Sequence, residues 1–308
     1  MAEINIALLG GDKRELEVAR VLLPRFSLRC FGLPRGGLPQ SRRLRLAQTL
    51  DEALNGADAV LLPMAGVKED GMLYAPLYGD IKIDAADFAF LQAGTPVLVG
   101  VASRYLRELC AENSLPLYEV AEHDLVAIPN AVPTAEGALA IIMQETDITI
   151  NGMRALVLGF GRVGEAVALR LKALGAEVLA VNRGERRLAR AKALGFSSCA
   201  WGELPAALAG CDAVINTIPA PVLGRKELAA LKSSALVVDL ASGAGGTDFA
   251  AAEQLGVRAL HALSLPGKVA PVSAGRILGR VYPRYLATVC GLPIDWENDD
   301  TAKAVKEQ

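Results

Sequence analysis

Residues Arg154 to Arg183 read RALVLGFGRVGEAVALRLKALGAEVLAVNR, and the fold is decided in this stretch. The short apolar run ALVL has the character of a buried strand. A turn with glycine at Gly159, Gly161 and Gly164 closes it. The following VGEAVALRLKAL places Val163, Val167, Leu171 and Leu174 on one helical face, Gly175 stops it, and EVLAV supplies the next strand. GxGxxG between a strand and a helix is a dinucleotide-binding fingerprint. Gly159 permits the tight turn, Gly161 lets the backbone approach a pyrophosphate, and Gly164 lets helix and strand pack closely. The helix N-terminus then offers amides and its positive dipole end to the phosphates. The competing reading is a glycine turn with no ligand.

The second strand ends in VNRGERR, so Asn182 and Arg183 stand where an acidic residue often binds the ribose hydroxyls. A carboxylate there favours NAD and repels a 2′-phosphate, whereas Arg183 can pair with one. The cofactor expected is therefore NADP. Against this, RGERR, with Arg186 and Arg187, also reads as a solvated helix start. Further candidates lie in NTIPAPV and DLASGAGGTDF, turns at the carboxyl ends of two later strands. Thr217, Ile218 and Pro219, with Ala241 and Ser242, join Phe160, Arg162 and Val163 in the candidate cofactor set. Asn216 and Asp239 lie on the same rim, and each of these positions reads equally as turn chemistry.

The chain has 308 residues, 52% of them hydrophobic and 21% charged, which suits two globular domains rather than a disordered chain. A net charge of -2 gives no reason to expect nucleic acid or an acidic membrane as partner. Five scattered cysteines without a CxxC or Cys/His cluster argue against both metal and disulfides. No apolar run reads as a membrane span and MAEINIALLGGDKRE lacks signal-peptide character, so the expectation is a soluble, cytoplasmic protein.

Strand-like runs INIALLG, DAVLLPM, TPVLVGV and LPLYEV alternate with helical patterns in the first half. RALVLG, EVLAV, DAVINTI, ALVVDLA and VRALHAL do so in the second. This alternation predicts an α/β fold of two doubly wound parallel-sheet domains, the second a Rossmann domain, with a ligand cleft between them. The expected divisions are a substrate domain over 1–130, a linking helix within 131–150 (Val132 to Glu145) and an NADP-binding domain over 151–265. A C-terminal helix over 266–292, bent or broken near Pro283, then returns across the hinge, and a polar tail covers 293–308. Thr134 is a possible cap of the linking helix, without a capping box.

The first half is thus read as the holder of the substrate. Its LLGGDKRE resembles a dinucleotide turn but lacks the third glycine, and Asp12 reads as a helix N-cap that disfavours phosphate. Arg14, Lys68 and Arg104 are candidates to hold carboxylates, the alternative being ordinary surface charge. Asn130 and Thr134, at the domain junction, join Arg14, Arg104 and Lys268 as candidate substrate-binding residues. Lys268, in SLPGKVAPVSAGRIL, sits just before a helix N-terminus, either to meet an anion or as an exposed lysine on a rigid connector. Lys268 and His261 are the candidates for the chemical step; both histidines, His123 and His261, also suit structural roles.

LLGGDKRELE, IPNAVPTAEGALAIIMQETDITINGMRALVLGFGRVGE, NTIPAPVL, DLASGAGGTDF and LPGKVAPVSAGRIL occur in an order and spacing that resembles the dipicolinate synthase A-subunit family of spore-forming bacteria. The resemblance implies NADP-linked oxidation of dihydrodipicolinate, derived from the lysine pathway, to pyridine-2,6-dicarboxylate. It also implies a second, flavoprotein-like B subunit; homo-oligomers are a further expectation. Two other classes remain open. One is another two-domain NADP dehydrogenase of the shikimate or methylene-tetrahydrofolate type. The other is a non-catalytic NADP-binding regulatory subunit.

Overall fold

The first apolar run forms β1 (Asn5–Leu9), whose side chains alternate between two cores, Ile6 and Leu8 on one face and Ala7 and Leu9 on the other. Burial on both faces is what a parallel sheet covered by helices requires. The computed structural model describes residues 4–291; the expected polar tail lies outside them. The chain divides into two compact units, one holding residues up to Ala127 and again from Pro271, the other Ile128–Ala270.

After β1 the first unit runs through α1 (Lys13–Leu22), β2 (Ser27–Phe31), β3 (Leu44–Leu46), α2 (Leu50–Leu54) and β4 (Ala59–Leu61). It continues with α3 (Ala85–Phe88), β5 (Val97–Val99), α4 (Arg104–Glu112) and β6 (Leu117–Glu119). The long helix α5 (Asp124–Glu145) leads into the second unit: β7 (Arg154–Leu158), α6 (Arg162–Ala173), β8 (Glu177–Asn182), α7 (Glu185–Ala193) and β9 (Ser197–Ala200). Then come α8 (Leu204–Leu208), β10 (Ala213–Asn216), α9 (Arg225–Ala229), β11 (Leu236–Asp239), α10 (Phe249–Leu255), β12 (Arg258–His261) and α11 (Leu265–Val269). Finally α12 (Pro271–Val289) belongs to the first unit.

Both sheets are parallel and share one topology. The first is ordered β3-β2-β1-β4-β5-β6 and the second β12-β11-β10-β7-β8-β9. Each is the doubly wound order in which strand progression reverses beside the first strand, leaving a crevice at the carboxyl ends. In the second unit that reversal lies between β7 and β10, paired from Ala155↔Ala213 to Leu158↔Asn216.

Three local expectations need correction. The linking helix starts at Asp124 rather than Val132 and contains Pro129 and Pro133. Burial of Ala135, Ala138, Leu139 and Ile142 in the second unit's core anchors a helix that the prolines alone would discourage. Thr134 is therefore interior and donates its hydroxyl to the Asn130 carbonyl at 2.9 Å, rather than capping. This 22-residue helix, with a mean hydropathy of 1.5 over its most apolar window, is also long and apolar enough to cross a membrane, contrary to the reading that no run was.

Likewise α12 continues through Pro283. Val281, Tyr282 and Leu286 are buried in the first unit's core, which offsets the lost hydrogen bond. Gly275 and Gly279 let this helix lie close on α1: a Cβ at Gly275 would come 2.5 Å from the Arg14 carbonyl oxygen, and one at Gly279 2.7 Å from Val21 Cβ. Glu17 on α1 binds Arg276 on α12 at 2.9 Å.

Candidate functional site

The turn after β7 has the geometry that a dinucleotide demands. Gly159 adopts φ +87°, and a Cβ there would meet Thr217 Oγ1 at 2.5 Å. A Cβ on Gly164 would collide with the Gly159 carbonyl oxygen, so helix and turn touch backbone to backbone. Around Gly161 a Cβ meets nothing within 4 Å, leaving the turn open on the side where a pyrophosphate would lie. Gly161 is the N-cap of α6 and offers no capping side chain. Glu165 in the first turn would oppose an anion, but its carboxylate is engaged by Arg190 at 2.9 Å. Phe160 turns its ring into the core against Phe196, so only its backbone can serve a ligand.

The turn after β1 is built differently. Asp12 and Glu15 form a capping box on α1, and the space at Gly11 is filled by the Glu15 side chain. Two carboxylates thus occupy the helix N-terminus that would otherwise receive phosphate. Glu15 Oε2 accepts the Asp12 amide at 2.7 Å, while Oε1 is buried without a hydrogen-bond partner. Burial pushes the Glu15 carboxyl up to about 7, against the opposing pull of Arg14.

At the end of β8, Asn182 is buried and its Oδ1 accepts the Gly184 amide at 2.9 Å, tying up the position expected to face a ribose. Arg183 is exposed, with its guanidinium carbon 4.7 Å from the Trp201 ring centroid. Trp201 was missed in the sequence because it follows β9, a short edge strand with no apolar run to announce it. Arg186 and Arg187 are exposed at the start of α7.

Further along the rim, Thr217 Oγ1 donates to the Leu158 carbonyl at 2.9 Å, joining its turn to the end of β7. Ile218 is half-buried and Pro219 exposed; Ala241 is buried and Ser242 exposed. His261 hydrogen-bonds the Ala241 carbonyl through Nε2 at 3.1 Å and stacks on Phe249 with centroids 5.3 Å apart. A carbonyl only accepts, so Nε2 carries a proton and is engaged in holding the loop. In the neutral ring the lone pair is then on Nδ1, so this bond orients the imidazole.

The candidate substrate residues are distributed over both units. Arg14 is buried and grips Asp12, with Nη2 at 2.8 Å and Nε at 3.0 Å from the carboxylate, rather than standing as a loose surface charge. Arg104 is exposed and pairs with Glu108 at 2.6 Å; Lys68 is exposed in a turn. In the second unit, Asn130 and Thr134 are half-buried on α5. Lys268 is exposed in the last turn of α11, so the expected loop is a short helix. That helix packs on α5 where Gly137 makes room for Leu265. Among the described residues no group of three or more His, Cys, Asp or Glu could hold a metal ion. A cavity of about 430 Å³, lined by Arg154, Lys172, Glu177 and Cys211, opens at the amino-terminal ends of β7 and β8, the edge of the sheet opposite the glycine turn.

Strand order, glycine turn and crevice together define a dinucleotide-binding unit, and its family match makes it one of the nicotinamide-dependent dehydrogenase kind. Residues 140–262 match the family described as D-isomer specific 2-hydroxyacid dehydrogenase, NAD binding domain. Residues 5–121 match the N-terminal domain of the dipicolinate synthase A subunit. The chain is 34% identical to the dipicolinate synthase A subunit of Bacillus subtilis (strain 168) over 291 residues, covering 93% of this chain and 97% of that protein. The crystal structure of the dipicolinate synthase A subunit from Bacillus halodurans superposes with a TM-score of 0.88 at 35% identity, covering 92% of this chain and 98% of that one. A shorter likeness, 40% over 94 residues, links it to the NADP(+) shikimate dehydrogenase of Gluconobacter oxydans (strain 621H), covering 29% of this chain and 33% of that enzyme. The chain belongs to the dipicolinate synthase A-subunit family.

Proposed function

We propose that this chain oxidises a dihydrodipicolinate-type dicarboxylate to pyridine-2,6-dicarboxylate with NADP, acting with a flavoprotein-like B subunit. The observation that carries the reading is likeness to a named synthase component over 93% of the chain, with the glycine turn intact. Loss of a hydride and a proton from a dihydropyridine leaves an aromatic ring, so the reaction is downhill and calls mainly for positioning. A bound nicotinamide supplies the hydride acceptor.

The chain's own residues do the rest. Gly159, Gly161 and Gly164 seat the pyrophosphate on α6, and Arg183, held over Trp201, pairs with the 2′-phosphate. Thr217, Ile218, Pro219, Ala241 and Ser242 form the rim towards the nicotinamide, with the backbones of Phe160, Arg162 and Val163 in the phosphate turn. Arg14 and Arg104 of the first unit, and Asn130, Thr134 and Lys268 of the second, are the residues to test as holders of the two carboxylates. His261, oriented through Nε2 by the Ala241 carbonyl, and Lys268 are the residues to test for proton removal. Five free cysteines suit the reducing cytoplasm as the place of action.

Mass-spectrometric detection of pyridine-2,6-dicarboxylate, with the substrate generated enzymatically in place, tests the assignment. Product should require this chain and NADP. Formation by the B subunit without this chain would make the chain an accessory protein.

A further inference from the structure

The end of β11 holds a carboxylate whose surroundings are all donors. Asp239 is fully buried. Its Oδ2 accepts from Asn216 Nδ2 at 3.1 Å, the Gly246 amide at 2.8 Å and the Thr247 hydroxyl at 2.6 Å. Its Oδ1 accepts the Ala241 amide at 3.0 Å. A buried carboxylate with this many donors is a strong local organiser, because charge-assisted bonds away from water hold their geometry.

The donors come from two parts of the crevice, the end of β10 and the loop after β11. Asn216 lies opposite Asp239 in the pairing of β10 with β11, and its Oδ1 accepts the Ile218 amide at 3.0 Å, which shapes the 217–220 turn. Thr217 of that turn bonds the end of β7, where the glycine turn begins. Ala241, Gly246 and Thr247 span the loop after β11, and Ala241 is held from its other side by His261. The loop fits closely around the carboxylate: a Cβ on Gly245 would sit 3.0 Å from Asp239 Oδ2 and 3.2 Å from His261 Nε2. Gly246 is equally confined, since a Cβ there would meet Asn216 Nδ2 and the Ile218 carbonyl at 2.6 Å.

We infer that Asp239 is a positioning residue that locks the glycine turn, the 217–220 turn and the 241–247 loop into one dinucleotide-ready rim, without touching the cofactor itself. The inference rests on the reading of this edge as the dinucleotide site. It does not depend on which dicarboxylate is oxidised.

Asp239→Asn is the decisive variant, because its amide N–H2 must face a donor whichever way it turns. Two readouts are taken: amide hydrogen exchange at Ala241 and Gly246 in the unliganded chain, and the Kd of reduced cofactor from nicotinamide fluorescence. Both NADPH and NADH are titrated, and the tighter is used. Asp239→Asn should speed exchange at both amides and raise Kd by about tenfold or more, the loss expected for a hydrogen bond to a charged group. Val237→Ala, a buried change in β11 away from the rim, should lower stability while leaving Kd within about twofold. If Asp239→Asn does not fold, Thr247→Val and Thr247→Ser decide: the first should raise Kd and the second restore it. Wild-type Kd and exchange in the folded Asp239→Asn chain, or in Thr247→Val, would overturn the inference. So would an equal rise of Kd in Val237→Ala. Failure of the wild-type chain to make dipicolinate leaves these readouts intact and bears on the reaction alone.

Discussion

Arg183 and Trp201 meet across the end of the second sheet, the guanidinium carbon 4.7 Å from the indole ring centroid. A cation held over an aromatic face is restrained before any ligand arrives. The contact holds Arg183 at the end of β8, where a ribose 2′-phosphate would come.

Trp201→Ala should therefore weaken NADP(H) by about two- to fivefold, the equivalent of ~0.5–1 kcal/mol for an exposed cation–π contact. Arg183→Asp should cost ~1–3 kcal/mol of NADP(H) affinity and improve NAD(H). Titration calorimetry with both cofactors checks this. Equal affinities in the unmodified chain would contradict it.

The glycines of the turn should separate folding from binding. Gly161→Ala meets open space in an extended backbone, so thermal unfolding should be nearly unchanged while cofactor affinity falls about tenfold or more. Gly164→Ala drives a methyl into the Gly159 carbonyl and should lower stability by about 1–3 kcal/mol. Comparable unfolding curves for the two variants would contradict this division of roles.

Most of the second unit was legible because its signals are local. ALVL, three spaced glycines and EVLAV carry the βαβ unit within one short stretch. Asp12 as the cap of α1 was also readable, since a capping box needs only Asp12 and Glu15 three places apart. What escaped depended on partners distant in sequence. Edge strands β3 and β9 are short and pair on one side only, so neither shows a continuous apolar run. The helical state of Pro129 and Pro283 comes from tertiary burial that no propensity carries. Asp239 looked like turn chemistry, and only folding shows Asn216, Gly246 and Thr247 converging on it.

Glu15 makes stability depend on pH. Its carboxyl holds a proton more tightly folded, at about 7, than unfolded, near 4.5. That contribution is complete below 4.5 and is lost as pH rises through 7, by at most about 3 kcal/mol. Urea denaturation at pH 5 and pH 8 should show a decline that Glu15→Gln largely removes. An equal decline in both proteins would contradict the buried, protonated Glu15.

Lys268→Ala tests the substrate side. It should lower kcat/KM by about 1.5–3 kcal/mol, expressed mainly in KM, while cofactor affinity stays unchanged. A loss of cofactor affinity instead would place Lys268 with the dinucleotide.

The most direct measurement of the central claim follows two absorbances in one reaction, the reduced nicotinamide and the pyridine ring, as dihydrodipicolinate is generated beside this chain and its B subunit. The account predicts equal amounts of NADPH and ring, both formed more slowly by Gly161→Ala when NADP is below saturation. Ring formation without NADP reduction, or no faster than the B subunit makes it without this chain, would contradict it.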